Sequence, residues 1–265
     1  MRRPSPAPPP AGTQAGAPAA APGPSPRRGL GRVLAAALGV LAVLAVLFAY
    51  LAVRHREQPA AVSQARVSGL PASVSTSLAN LMELSPVPSR PAPGFVLTDQ
   101  DGRTMSLASF KGHAVVLEFM DPHCTDICPI VSQEFIDAQH DLGKAARQAV
   151  FIAVNVNAYH HGVTDVAAFS REHLLTTIPS WHFFTGSVAS LQAVWRAYNI
   201  EVQAPSRNAD VVHTSAVYFI DPAGRERFIA SPMADHTAKG TAYLPATQLA
   251  AWGRGIALVT RHLTH

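Results

Sequence analysis

Cysteine is scarce in this chain of 265 residues, which contains only two. Two thiols cannot supply the disulfide framework that stabilises many small exported domains, so the fold must depend on an apolar core. Hydrophobic residues make up 48% of the chain, and its length is sufficient for one such core. A mainly disordered protein is therefore excluded, and one folded domain with appended segments is expected.

Acidic residues are absent from the first 56 positions, which contain seven arginines. The formal net charge of +4 therefore originates at the start of the chain, because residues 57–265 carry 14 basic and 17 acidic side chains. Proteins that bind nucleic acids need a basic surface to contact the phosphates. No nucleic-acid partner is expected for the folded part of this chain.

Charged side chains are also missing from residues 33–53, which are rich in leucine, valine and alanine. A helix of this length spans roughly 31 Å, about the thickness of a bilayer core. A buried helix of a globular protein would normally have polar positions on one face. Residues 33–53 are therefore predicted to form a single transmembrane helix. Five arginines precede this segment and two follow it, so the N-terminus is expected in the cytoplasm.

This topology places the rest of the chain outside the cytoplasm, on the periplasmic or outer side of a bacterial cytoplasmic membrane. No clear small-residue cleavage site follows the apolar segment, so a retained anchor is favoured over a cleaved signal peptide. Residues 1–32 are rich in proline and alanine and are predicted to be a disordered cytoplasmic tail. Residues 54–90 are predicted to be a linker, and residues 91–265 the folded domain.

Short apolar segments alternate with helical patterns throughout the predicted domain. Residues 95–97 and 105–107 flank a polar turn and predict a hairpin. Further strands are predicted at 114–120, 149–154, 181–184, 215–220 and 227–230, and helices at 129–143, 165–175, 187–198 and 246–263. This order predicts an α/β domain with a mixed sheet flanked by helices.

The two cysteines stand four residues apart, at Cys124 and Cys128, just after the predicted strand 114–120. Pro129 fits the first turn of a helix, so a strand, a thiol loop and a helix follow in order. A helix N-terminus favours the thiolate, which is the form that binds soft metals and attacks disulfides. The spacing leaves a metal site and a redox-active disulfide pair both open.

Other polar residues raise secondary expectations. Asp126 lies between the cysteines and is expected to interact with free N–H groups at the helix start. His160 and His161 are adjacent, and adjacent side chains point apart, so they are not expected to share a metal ion.

The chain resembles the SCO/SenC family of thioredoxin-fold copper proteins. The resemblance covers roughly residues 92–265 and is carried by three segments: F-x-L-x-D-x-x-G with L-x-x-F-x-G at 95–112, C-T-D-I-C-P at 124–129, and H-T-S-A-V-Y-F-I-D-P-x-G at 213–224. It implies a thioredoxin-like fold and the binding of copper, as Cu(I) or Cu(II), by Cys124, Cys128 and His213. Family members commonly have Pro where Thr125 stands and Asp where Val212 stands, and they have an acidic residue at the place of Asn155.

The resemblance also implies a function, namely a membrane-anchored copper chaperone for the copper site of a haem–copper cytochrome c oxidase. Its expected partners are oxidase subunit II and other copper carriers or thiol–disulfide proteins. The alternative is an extracytoplasmic thiol–disulfide oxidoreductase that acts through Cys124 and Cys128 on subunit II or other exported proteins, so whether the chain is an enzyme stays open. Thioredoxin-type reductases carry C-x-x-C and a proline before the strand that faces the thiols. Here the spacing is C-x-x-x-C and His213 stands near that place, which favours copper.

Overall fold

The computed structural model of the protein describes residues 68–265. The predicted disordered tail at 1–32 and the predicted transmembrane helix at 33–53 lie outside the described residues, as does the first part of the predicted linker. None of the helices within residues 68–265 has the length and hydropathy needed to cross a bilayer.

A six-stranded mixed sheet forms the centre of the described domain. Its strands are β1 (Ser85–Pro91), β4 (Ala114–Met120), β5 (Ala149–Asn155), β6 (Trp181–Phe184), β9 (Val217–Ile220) and β10 (Arg225–Ala230). They lie in the order β1, β10, β9, β4, β5, β6. Strands β4, β5 and β6 are parallel, whereas β9 is antiparallel to β4, β10 to β9 and β1 to β10. The predicted mixed sheet is confirmed.

Five α-helices and three small two-stranded ribbons complete this domain. The helices are α1 (Thr76–Leu81), α2 (Ile127–Leu142), α3 (Val163–Glu172), α4 (Val188–Ala197) and α5 (Ala246–Leu263). The ribbons pair β2 (Val96–Thr98) with β3 (Thr104–Ser106), β7 (Val202–Gln203) with β8 (Val212–His213), and β11 (Asp235–His236) with β12 (Ala242–Tyr243). The predicted hairpin is the β2–β3 ribbon.

Both faces of the sheet are covered, which explains why all seven residues of β4 are buried. Val116 and Met120 of β4 belong to a core built with α2, α3 and α5. Leu117 and Phe119 point to the opposite face and pack with α4 and the β2–β3 hairpin. The period-two alternation of a strand therefore divides one apolar segment between two cores. The prediction of a sheet flanked by helices is confirmed.

Helix α2, which carries Cys128, packs closely against α5. A Cβ atom at Gly253 of α5 would lie 2.5 Å from the Cβ of Asp137 in α2. Real Cβ atoms do not approach one another so closely, so this crossing requires glycine at position 253. The contact holds α2 against the domain along its length.

Several predicted boundaries differ from the structure by a few residues, and two of the differences have a clear physical reason. Residues 85–90, which were predicted to be linker, form most of β1, because prolines are tolerated in an edge strand that pairs on one side only. Helix α2 begins at Ile127 instead of residue 129. Pro129 becomes its third residue, where the missing N–H would have had no partner within the helix.

Candidate metal centre

Residues 121–126, the thiol loop, follow β4 and contain Cys124. Hydrogen bonds join this loop to the loop that follows the neighbouring parallel strand β5. The buried carboxylate of Asp121 accepts hydrogen bonds from the side chain of Asn157 and from the backbone N–H of His123, each at 2.9 Å. The backbone N–H of Val156 donates to the carbonyl of Met120 at 3.0 Å. These bonds fix the thiol loop at the carboxyl edge of the parallel strands.

Cys124 lies in this loop, half-buried, just before α2. Its sulfur accepts the backbone N–H of Cys128 at 3.4 Å. A hydrogen bond from the Cys128 thiol, joined by the backbone N–H groups of Cys128 and Asp126, lowers the pKa of Cys124 to about 7, although burial opposes the shift. Cys124 therefore ionises more readily than an ordinary cysteine.

Cys128 is the second residue of α2, and its side chain is buried. Its thiol donates to Cys124, and this bond together with burial raises the pKa of Cys128 well above its ordinary value. The negative charge of the Cys124 thiolate acts in the same direction. The two free thiols thus have different states: Cys124 ionises and Cys128 keeps its proton.

The expectation for Asp126 is wrong. Its backbone torsions, φ −106° and ψ −102°, are not those of a capping residue, and its side chain makes no hydrogen bond to the helix start. Its carboxylate instead accepts a hydrogen bond from Nε2 of His236 at 2.9 Å. The sulfur of Cys124, instead of the carboxylate of Asp126, accepts a backbone N–H at the start of α2.

His213 lies on β8 and is half-buried. Its Nδ1 is 2.9 Å from the carbonyl oxygen of Thr214. Because a carbonyl only accepts, Nδ1 carries the hydrogen and Nε2 keeps a free lone pair. Burial also lowers the pKa of His213, so the ring is neutral at neutral pH, as metal binding requires.

A cavity of about 930 Å³ opens at this edge of the sheet, and Cys124 and His213 both line it. The structure brings Cys124 and Cys128 into hydrogen-bond contact. Within residues 68–265, however, Cys124, Cys128 and His213 do not gather their donor atoms within 4.8 Å of one another. His213 therefore shares the cavity with Cys124, but its ring is not within bonding distance of an ion held by both sulfurs.

The adjacent histidines His160 and His161 diverge, as predicted. Nε2 of His160 lies 3.2 Å from the carbonyl oxygen of Arg207. Nδ1 of His161 lies 3.0 Å from that of Gly186. The two rings are bound to different loops and cannot hold one ion between them.

Asn155 and Val212, two of the positions that depart from the family pattern, have different environments. Asn155 is buried, and its amide donates to the carbonyl of His160 at 2.9 Å and to Oγ1 of Thr185 at 3.2 Å. It thereby orders the loop after β5. Val212 is 65% exposed and supports no polar contact beside His213.

Two buried carboxyl groups near the thiols were not identified from the sequence. Glu118 on β4 and Glu134 on α2 are almost completely buried. Burial raises the pKa of Glu118 to about 8 and also raises that of Glu134. The Glu118 carboxyl is therefore largely protonated at neutral pH. The sequence signal for Glu118 was that it is the one charged residue within the otherwise apolar segment 114–120.

Comparison with known proteins identifies the family. The SCO1/SenC family model matches residues 86–241. The chain belongs to the SCO1/SenC family.

Among its relatives, the SCO1 protein homolog of Bacillus subtilis is 26% identical over 133 residues, which are 49% of this chain and 68% of that protein. The mitochondrial SCO2 homolog of Bos taurus is 29% identical over 138 residues, covering 49% of this chain and 50% of that protein. The chain thus spans about two thirds of the bacterial relative and half of the mitochondrial one.

The fold is also that of solved SCO structures. The crystal structure of Arabidopsis thaliana ScoI with copper bound superposes with a TM-score of 0.50 at 19% identity, and the match covers 65% of this chain and 99% of that one. The thioredoxin-like arrangement implied by the resemblance is confirmed.

The asymmetry of the thiols in this SCO1/SenC member predicts selective alkylation. In the reduced protein we expect iodoacetamide to modify Cys124 with a rate that rises through pH 7, while Cys128 remains unmodified, because Cys128 is buried and protonated. Replacing Cys128 with Ala removes the S–H donor and should shift the profile of Cys124 to higher pH. Cys128→Ser is the matched control, because it retains a hydroxyl donor. Rates from mass spectrometry that are equal at both cysteines would contradict this assignment.

Proposed function

We propose that this chain is an extracytoplasmic copper chaperone whose cargo is bound by Cys124, Cys128 and His213. The observation that supports it best is an ionisable thiol, hydrogen-bonded to a second thiol, in a cavity that also presents a neutral imidazole. Soft thiolate sulfur favours Cu(I), and imidazole accepts both oxidation states of copper. Membership of the SCO1/SenC family and the copper-bound Arabidopsis structure support the same cargo.

Copper binding by all three residues requires His213 to approach the thiols. His213 is held by a ladder of only two residue pairs, Val202 with His213 and Gln203 with Val212. A ladder this short opens at little cost in free energy, because few hydrogen bonds and few buried contacts are lost. Its free Nε2 can then reach an ion held by the two sulfurs.

The recipient we propose is subunit II of a haem–copper cytochrome c oxidase. Family membership supports this assignment. The uncharged segment 33–53 and the excess of arginines before it support a membrane anchor with the folded domain outside the cytoplasm. An anchor of this kind keeps the cargo site on the side of the membrane where exported metalloproteins are assembled.

A copper titration tests the proposed ligands. We expect the reduced, full-length protein to bind one equivalent of Cu(I) in competition with a chromogenic chelator. Cys124→Ala and Cys128→Ala should abolish this binding. His213→Ala should weaken it at least about tenfold, because even residues that only support a ligand contribute this much. His140→Ala is the matched control, since its side chain is 90% exposed on the far end of α2. Equal affinity of the His213 variant and the unaltered protein would remove the imidazole from the site.

The second candidate function is thiol–disulfide exchange. It is favoured by the same asymmetry, because a low-pKa thiol that lines a cavity, paired with a buried protonated one, is suited to attack and resolution of a mixed disulfide. Rapid reduction of insulin disulfides without Cu(I) binding would favour this function over the chaperone.

The proposed membrane anchor predicts which side of the membrane each end of the chain occupies. Protease added to intact spheroplasts should digest the domain at 91–265 and spare an N-terminal tag, because the excess of arginines keeps that end in the cytoplasm. Immunoblots for tags at both ends would report this. Digestion of the N-terminal tag with survival of the domain would reverse the orientation.

Oxidase assembly provides the cellular test. Deletion of the gene should lower cytochrome c oxidase activity in copper-poor medium, and added copper should restore it, because a chaperone matters most when its cargo is scarce. Re-expression of the Cys124→Ala variant should fail to restore activity, whereas His140→Ala should succeed. Unchanged oxidase activity in copper-starved deletion cells would argue for another recipient.

A further inference from the structure

A second group of potential ligands lies beside the thiol loop. Donor atoms of His123, His160 and Asp165 all lie within 4.8 Å of one another. These residues come from the loop after β4, the loop after β5 and the first turn of α3. In the part of the chain that the structure describes, they are the one group of three histidine, cysteine or carboxylate side chains that meets this distance.

The side chains of this cluster lie close to one another. The rings of His123 and His160 lie with their centroids 3.8 Å apart and their planes tilted by 31°. Nε2 of His123 lies 3.5 Å from Oδ1 of Asp165. Metal–nitrogen bonds of about 2.0–2.1 Å hold two donors roughly 3–4 Å apart, so shifts of about 1 Å bring all three donors onto one ion.

The surroundings hold each ligand in place. The other oxygen of Asp165 accepts the backbone N–H of Gly162 at 2.9 Å. Nε2 of His160 is 3.2 Å from the carbonyl oxygen of Arg207, so Nε2 carries the hydrogen and Nδ1 keeps its lone pair. A histidine that donates one ring N–H to a backbone carbonyl is the usual arrangement around a ligating imidazole.

The backbone on both sides of the cluster is also fixed. Asp121 accepts the N–H of His123, and the side-chain oxygen of Asn157 accepts the N–H of His160, each at 2.9 Å. The guanidinium of Arg207 donates to the carbonyl of Tyr159 at 3.1 Å and lies over the tyrosine ring. These contacts hold the guanidinium against Tyr159.

We propose that His123, His160 and Asp165 bind a divalent transition-metal ion, with Cu(II) bound most tightly. Two imidazoles and one carboxylate are donors of intermediate hardness, which suit Cu(II), Ni(II) and Zn(II) better than Cu(I). Affinity for such a site rises to a maximum at copper in the first-row divalent series. Three protein ligands leave the remaining positions to water.

This site differs from the thiol site in its chemistry but adjoins it in space. His123 and His160 line the same cavity as Cys124 and His213. The two donor sets therefore select different oxidation states of one metal at one opening. The proposal does not depend on the thiols, because none of its ligands is a cysteine.

The test uses the full-length chain with both thiols removed by Cys124→Ser and Cys128→Ser, and Cu(II) added as the simple ion. We expect one equivalent of Cu(II) to bind, with nitrogen hyperfine structure in its electron paramagnetic resonance spectrum. His160→Ala or Asp165→Asn should weaken binding at least about tenfold. His161→Ala is the matched control, because it is adjacent in sequence but its ring contacts Gly186.

Several results would overturn the proposal. They are the absence of stoichiometric Cu(II) binding in the thiol-free chain, unchanged affinity in both the His160 and Asp165 variants, and an equal loss in the His161 control. Circular dichroism of each variant checks that the fold is retained, and Asp165→Asn preserves the size of the side chain if His160→Ala disturbs the loop. Failure here would leave the Cu(I) titration of the unaltered protein as it stands, so the two proposals fail separately.

Discussion

One sulfur atom carries out the task that a polar side chain usually performs at the start of a helix. Cys124 accepts the backbone N–H of Cys128 at 3.4 Å, while the thiol of Cys128 donates to the same sulfur. These two bonds, made at the positive end of α2, stabilise charge on Cys124 and hold the proton on Cys128. Disulfide exchange uses this division of roles, and copper binding starts from the same ionised sulfur and then displaces the proton of Cys128. Both candidate functions therefore begin from one local interaction.

The position of that sulfur depends on the connection between two loops. The hydrogen bond between Asp121 and Asn157 joins the loops after β4 and β5 at the carboxyl edge of the parallel strands. The same two side chains hold the backbone N–H groups of His123 and His160. A single buried polar pair therefore orders the thiol loop and the neighbouring nitrogen and oxygen donors together. Local turns shape each loop, and the pairing of β4 with β5 brings the two loops together.

Most elements of the sheet could be predicted because their apolar segments are contiguous, and the bounds predicted at 114–120 and 181–184 are those of β4 and β6. The thiol pair could be placed for the same reason, since a strand and a helix start bracket it. The environment of Asp126 could not be predicted, because it depends on a backbone torsion that no residue pattern specifies. The proximity of His123 to His160 could not be predicted either, because the two residues are 37 positions apart in the sequence and only the pairing of β4 with β5 brings their loops together.

The prolines of strand β1, which led to the prediction of a linker, have a use in the folded protein. Pro86, Pro88 and Pro91 supply no N–H groups to the outer margin of the sheet. Because three of the seven residues of β1 have no N–H to donate, this strand is a poor template for strands of other molecules, and this side of the sheet resists self-association into extended assemblies.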